Sequence, residues 1–429
     1  VIASLVVAWW GLVSPARAEE PPPEAPLAFV VGPRMPMEPG VRSVHAFGRL
    51  AFVYDDALGD AVQLDEAQTV GRVAGVVGRS ARLALVDLPL VLVQTAVVHE
   101  VFGHGARARE LRLSPTYTFR LVPPYRGWLS GYEDDDALAT TYLLRSGVTD
   151  EDIAVSAAGV EANQTSAAWL RLDAGQRAGW MHRRDQLRYV TARLDYAGSL
   201  LRGGHGGAID PATSNDIGGY VGGLQRRFDA WRPDDRLRIE RTLQLGYGAS
   251  LLADPVLWAS ATHLLGGWLM GGQREARLPG WSVGGDHLLP TTRFQLAPYG
   301  PEHGLGLLWG RASRVVEVSV RVGTGGLAPS AGVGVQALGL SLVDDVRLGL
   351  DARAWWQPDL LFERLYAFDR PQRVGGLLGV ELDAPVHDAL GLVGRLSLKS
   401  EGYALAQPLA AGPSAYLGLM VRPPARAMD

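Results

Sequence analysis

LALVDLPLVLVQTAVVHEVFGHGARARE, residues 83–110, begins as an almost unbroken apolar run and ends in a polar cluster. Asp87 and Pro89 interrupt the run near its start. Counted to Val98 it has 16 residues, short of the roughly 20 that cross a bilayer. It reaches that length only by taking in His99 and Glu100. The stretch reads either as a buried core helix or as a membrane helix carrying a functional polar pair. In both readings a charged Glu100 is costly unless it has a role or a partner.

The cluster itself is His99-Glu100-Val101-Phe102-Gly103-His104, H-E-x-x-x-H. Zinc hydrolases use H-E-x-x-H, one residue shorter. On a regular helix residues four apart differ by about 40° and residues five apart by about 140°, so imidazoles at i and i+5 diverge. The spacing predicts a π-helical turn or a helix end at Val101 to Gly103. Gly103 and Gly105 relax the backbone for either solution. The chain has no cysteine, so a metal must be held by His, Asp or Glu. His99 and His104 are then the expected Zn2+ ligands, and Glu100 is the expected catalytic acid and base. A third ligand is required. Glu161, a lone acid in the apolar segment AVSAAGVEANQTSAA, is the first candidate, because a buried charge needs a partner. Asp195 in TARLDYAGSLL is the alternative. Asp173, His182 and the loop residue His205 follow behind them.

Toward the amino terminus, residues 2–13 form an apolar run ending in Ala16-Arg17-Ala18, the pattern of a cleaved signal peptide over residues 1–18. The chain begins at Val1 without a basic n-region, which suggests a truncated reading frame. Export to the periplasm or outer membrane of a Gram-negative bacterium is expected; an uncleaved anchor is the other reading. Residues 19–60 form a lead-in, proline-rich and extended over 19–42. Residues 61–270 read as mainly helical, with helices over 153–170 behind an acidic first turn at Thr149–Asp152, over 186–201 and over 254–269. Within them, residues 116–132 alternate around Pro123-Pro124 and read as a hairpin or two short strands. From 271 to 429 the texture is antiparallel β. Eight glycine-rich alternating segments between Thr291 and Pro423 predict one curling sheet. The alternation fits an outer-membrane barrel as well as a soluble sandwich or open sheet. The fold class is therefore α+β, a helical metallohydrolase-like region followed by a β region that is barrel-like or open. The net charge of -4 is mild and there is no basic stripe, so nothing points to a nucleic-acid partner and none is expected.

These residues resemble the site-2-protease-like zinc metalloproteases. His99-Glu100, Gly103-His104 and Ala106-Arg107-Ala108 are similar to their H-E-x-G-H-a-x-x-A opening, and Ala157 to Asn163 to their A-A-G-P-x-A-N helix. Leu194-Asp195 stands where their L-D-G aspartate is expected. The chain departs in the extra residue between the histidines, in Val160 for proline and in Tyr196 for glycine. The resemblance spans residues 84–200. It implies peptide-bond hydrolysis and favours Asp195 as ligand, whereas the residues themselves favour Glu161. The expected function is a zinc peptidase of the cell envelope, membrane-associated, acting on a peptide or protein. The alternative is a non-enzymatic outer-membrane or surface β protein with structural histidines.

Overall fold

The structure, a computed structural model, describes residues 26–60, 69–120, 139–142, 149–195, 197, 216–230, 232–323, 327–343, 345–360 and 371–421. The signal peptide, His205 and the Pro123-Pro124 segment lie outside the described residues.

The apolar run and its polar end form one helical rod. Helices α1 (Met37–Asp60) and α2 (Thr69–Arg82) precede a π-helical turn at Leu83–Asp87, then α3 (Leu88–His99), a second π-helical turn at Glu100–His104, and α4 (Gly105–Glu110). The first π turn coincides with the two interruptions read in the sequence. Asp87 is buried there between Arg183 and Arg184, at 2.8 and 3.0 Å, and Pro89 occupies the first turn of α3, where a missing N–H costs nothing.

Helix α5 (Asp150–Gln176) runs through the middle of the fold. Thr149 and Asp152 close a capping box at its start, satisfying two backbone N–H groups that helix geometry leaves unpaired. Its alanines and glycines bury nearly every position and admit close neighbours. Helices α6 (Arg183–Leu194), α7 (Asp216–Arg227), α8 (Pro233–Leu252) and α9 (Pro255–Thr262) complete the helical part. Asp254 caps α9 through its side chain. The main core joins Val41, Phe102, Ile153 and Leu170 of the helices to Phe294, Leu308 and Val315 of the sheet.

The sheet has ten strands in the order β1-β14-β13-β12-β11-β10-β9-β8-β7-β6, all antiparallel. β1 is Leu27–Val31, β6 Trp281–Val283, β7 Asp286–Ala297, β8 Gly300–Arg311, β9 Arg314–Gly323, β10 Ala331–Val343, β11 Val346–Pro358, β12 Gln372–His387, β13 Leu390–Lys399 and β14 Gly412–Val421. Each of the eight alternating segments is one strand from β7 to β14. Two small ribbons, β2 (Thr116–Phe119) with β3 (Ala139–Tyr142) and β4 (Trp180–His182) with β5 (Glu275–Arg277), lie outside the sheet.

Two expectations change. The sheet is open among the described residues, with β1 and β6 as its edges, so the barrel-like reading is corrected. Helices account for this: α1 and α5 pack on the face that a barrel would turn to its lumen. The lead-in is not a separate extended segment, because β1 extends the sheet and α1 packs into it. Thr116–Phe119 pairs with Ala139–Tyr142, and residues 121–132, on which the reading of two paired segments rests, lie outside the described residues.

The two faces of the sheet reverse the polarity of a soluble protein. Toward the helices, Glu317, Arg321, Asp351, Glu381 and Arg395 are inward and form ion pairs. Arg395 joins Glu38 of α1 at 2.5 Å to Asp351 at 2.6 Å, and Arg42 of α1 reaches Glu381 at 2.6 Å. Away from the helices the same strands present valine, leucine and tryptophan to the outside.

Candidate metal centre

The extra residue between the histidines is absorbed by the π turn. A turn closed by i→i+5 bonds holds one more residue than an α turn, so His99 and His104 emerge on one side of the rod. Their ring centroids are 5.0 Å apart. Two glycines make the position reachable. A Cβ on Gly159 of α5 would stand 2.1 Å from the His99 ring, and a Cβ on Gly103 would stand 2.7 Å from the Ala158 carbonyl oxygen. The rod and α5 therefore touch backbone to side chain, and the His99 imidazole occupies space that any other residue at 159 would fill.

Each imidazole is fixed through its Nδ1. His104 Nδ1 donates to the Val155 carbonyl at 2.7 Å. His99 Nδ1 lies 3.4 Å from Asp195 Oδ2, which also accepts from Asn163 Nδ2 at 2.6 Å. In the tautomer protonated at Nδ1, which a metal ion would select, both Nε2 atoms turn lone pairs inward. They are 3.2 Å apart, and Asp216 Oδ2 stands 2.9 Å from His99 Nε2 and 3.0 Å from His104 Nε2. Three electron-rich atoms thus converge on one point. Donors at about 2.0–2.1 Å from a tetrahedral zinc are separated by about 3.3 Å, which the triangle nearly matches. A proton satisfies one edge of such a triangle; a divalent cation satisfies all three corners. His99, His104 and Asp216 form the only group among the described residues whose ligand atoms could hold a metal ion in this way.

Burial alone would raise the Asp216 carboxyl, but His104 and His99 outweigh it and hold the group well below the usual carboxylate range. Asp216 therefore remains an anion, and it in turn holds both imidazoles above their usual range against the opposing effect of burial. Glu100 is buried in the π turn, with Oε1 4.0 Å from His99 Nε2. It lies beside the triangle and is not one of its corners.

The other expected residues have different partners. Glu161 does not reach the imidazoles. Buried on α5, it pairs with Arg107 at 2.6 and 3.2 Å and accepts from the Ala406 backbone N–H at 2.8 Å. The partner its burial demands is an arginine rather than a metal. Asp195 meets the nitrogen of His99 that faces away from the triangle, so it orients the ring. Asp173 pairs with His45 and Arg49, and the His182 ring accepts from Arg184 N–H at the start of α6. Sequence reading passed over Asp216, which opens α7 112 positions after His104. An aspartate there reads as an ordinary helix-start charge. The usable signal was the helix behind it: IGGYVGGL carries small residues as α5 does, and Gly219 and Gly223 bring α7 against Ser156 and Ile153.

Comparison of the chain with protein-family models, with curated proteins and with solved structures gave no match.

Proposed function

We propose that this chain is a zinc-dependent hydrolase of the bacterial cell envelope that acts on peptide bonds. The observation that carries the reading is the His99–His104–Asp216 triangle with Glu100 beside it. A zinc ion held there supplies Lewis acidity toward a water molecule and a carbonyl oxygen. Two imidazoles and one carboxylate are the donor set of open catalytic zinc sites, which keep a position free for substrate. Asp195 and the Val155 carbonyl fix the ring orientations, as outer partners do in such sites. Glu100 takes the proton of the attacking water and returns it to the leaving amine.

The ribbon β2–β3 supports a peptide as the substrate class. Tyr117 of β2 bonds Arg109 at 2.7 Å and its hydroxyl sits over Gly105, one residue beyond His104. The second edge of β2 pairs with no strand among the described residues, so an extended peptide can add to it beside the site. The resemblance of residues 84–200 to site-2-protease-like metalloproteases points the same way.

The test is metal content and turnover together. The purified chain should carry about one zinc per molecule, a stoichiometry set by a single three-donor site, and should cleave a quenched-fluorescence peptide library. Glu100→Gln should keep the zinc and lose cleavage. A zinc-loaded wild-type chain without peptidase activity would sink the hydrolase. A chain that binds no zinc would leave the histidines structural and favour a non-enzymatic envelope protein.

A further inference from the structure

We infer that the sheet face turned away from the helices, from β8 to β14, contacts the hydrocarbon of a lipid bilayer. This surface is independent of the metal reading. Along β9, Val318, Val320 and Val322 point outward at 50–51% exposure, while Glu317 and Arg321 point inward. Along β12, Leu378, Val380 and Leu382 are outward and Glu381 is buried. The other long strands repeat this, so the charged side chains are inside and the apolar ones outside. Membrane strands alternate apolar-out and polar-in; soluble sheets do the reverse.

The dimensions fit. β8 and β9 are paired so that Trp309 lies opposite Val316, and β9 and β10 so that Ala331, itself opposite Trp356, meets Val322. The two outward tryptophans therefore stand at opposite ends of the apolar band. The six-residue step from Val316 to Val322 corresponds to about 20 Å along the strand. An outer-membrane band is about 25 Å tall with aromatic residues at both borders. Seven long strands about 4.8 Å apart make an outward face on the order of 600 Å², at the upper end of what a monomeric soluble protein exposes in one patch. Charges stand at the strand ends: Arg311, Arg314 and Asp388 at the end with the two-residue connections 312–313, 344–345 and 388–389, and Arg373 and Glu401 at the end with the longer connections 324–330, 359–371 and 400–411. Apart from the two-residue connection 298–299 between β7 and β8, short connections thus lie at one end and long ones at the other, a further feature of membrane sheets.

An open sheet survives in hydrocarbon only if its edges are covered. Ser43 of α1 bonds both the N–H and the carbonyl of Val30 on the edge strand β1, each at 2.8 Å, and toward the other edge helices α5 and α8 pack along β7, whose residues 294–297 are all buried, leaving the three-residue β6 exposed. The rod also exposes Val73, Val77, Val86 and Val93; Val70–Glu110 is the one helix among the described residues long and apolar enough to cross a membrane.

The absence of native cysteine makes the test direct. Single Val320→Cys, Leu378→Cys and Leu396→Cys variants of the full chain, with Ala312→Cys and Asp388→Cys at the turns, are labelled with an environment-sensitive fluorophore. They are reconstituted into phosphatidylcholine vesicles containing lipids brominated at mid-chain. The three mid-strand labels should shift to the blue, be quenched by the brominated lipid and resist iodide; the two turn labels should be quenched by iodide. Mid-strand labels open to iodide in the vesicles would overturn the inference. So would mid-strand labels shielded without lipid in a species of doubled mass, which would assign the face to a second copy of the chain. A substitution reads the same surface by affinity: Val320→Arg should weaken vesicle insertion about thirty-fold or more, from the cost of arginine at the bilayer midplane, whereas Ala312→Arg should change it little.

Discussion

Asp216 Oδ2 is shared by two imidazole nitrogens, and Glu161 by an arginine and a backbone N–H. Both are buried or half-buried carboxylates, yet they do opposite work. One lies between two imidazole nitrogens, the place where we propose that a metal ion is held. The other already has its cation within the fold. Three substitutions separate these roles. Asp216→Asn should abolish stoichiometric zinc binding. Asp195→Asn should weaken it by about 10–100-fold, the usual effect of losing a partner that orients a ligand. Glu161→Gln should leave zinc bound but lower unfolding stability by about 3 kcal/mol, because breaking a buried pair strands the remaining charge. Zinc titration and denaturant unfolding on the same samples check all three; full zinc binding by Asp216→Asn would remove it from the site.

At the scale of elements, the site exists because three helices approach without intervening side chains. The rod lays Gly103 on Ala158, α5 yields the space over Gly159 to His99, and α7 slides Gly219 and Gly223 against α5. Gly159→Ala should therefore displace the His99 ring, since the new methyl would fall 2.1 Å from it. We expect zinc affinity to fall with the helical content unchanged by circular dichroism; unaltered affinity would mean that the ring has another place to go. This level explains what the sequence made legible. The i,i+5 spacing demanded a π turn, and Glu100–His104 forms one. Thr149 to Asp152 announced a helix start, and the alternating segments announced eight strands. Those are local signals, written in neighbouring residues. Asp216 was not legible because its role depends on a packing contact across 112 positions. The barrel reading failed for a related reason: alternation reports that a strand has two unlike faces, but not what fills the space behind it.

In the whole molecule the amino-terminal helices and the carboxy-terminal strands hold one another's charges. Glu38 and Arg42 pair with Arg395 and Glu381, Glu161 and Arg107 bind the backbone at Ala406 and Gln407, and β1 pairs with β14. A cut at residue 271 would therefore not yield two self-sufficient domains. A chain ending at Lys399 should bind zinc poorly even though it retains His99, His104 and Asp216; zinc content equal to that of the full chain would refute this. The pairing of Leu27–Val31 with residues 417–421 also sets an order of events. Contacts between segments so distant in the chain form slowly, since the intervening loop must close before any contact repays the cost. During synthesis β1 leaves the ribosome first and waits for the last strand of the sheet. Until then Glu38 and Arg42 lack Arg395 and Glu381, which have yet to be made, so an early helical intermediate carries these two charges without their strand partners. Folding of the helical half is for this reason tied to completion of the sheet, and the assembly of His99, His104 and Asp216 with it.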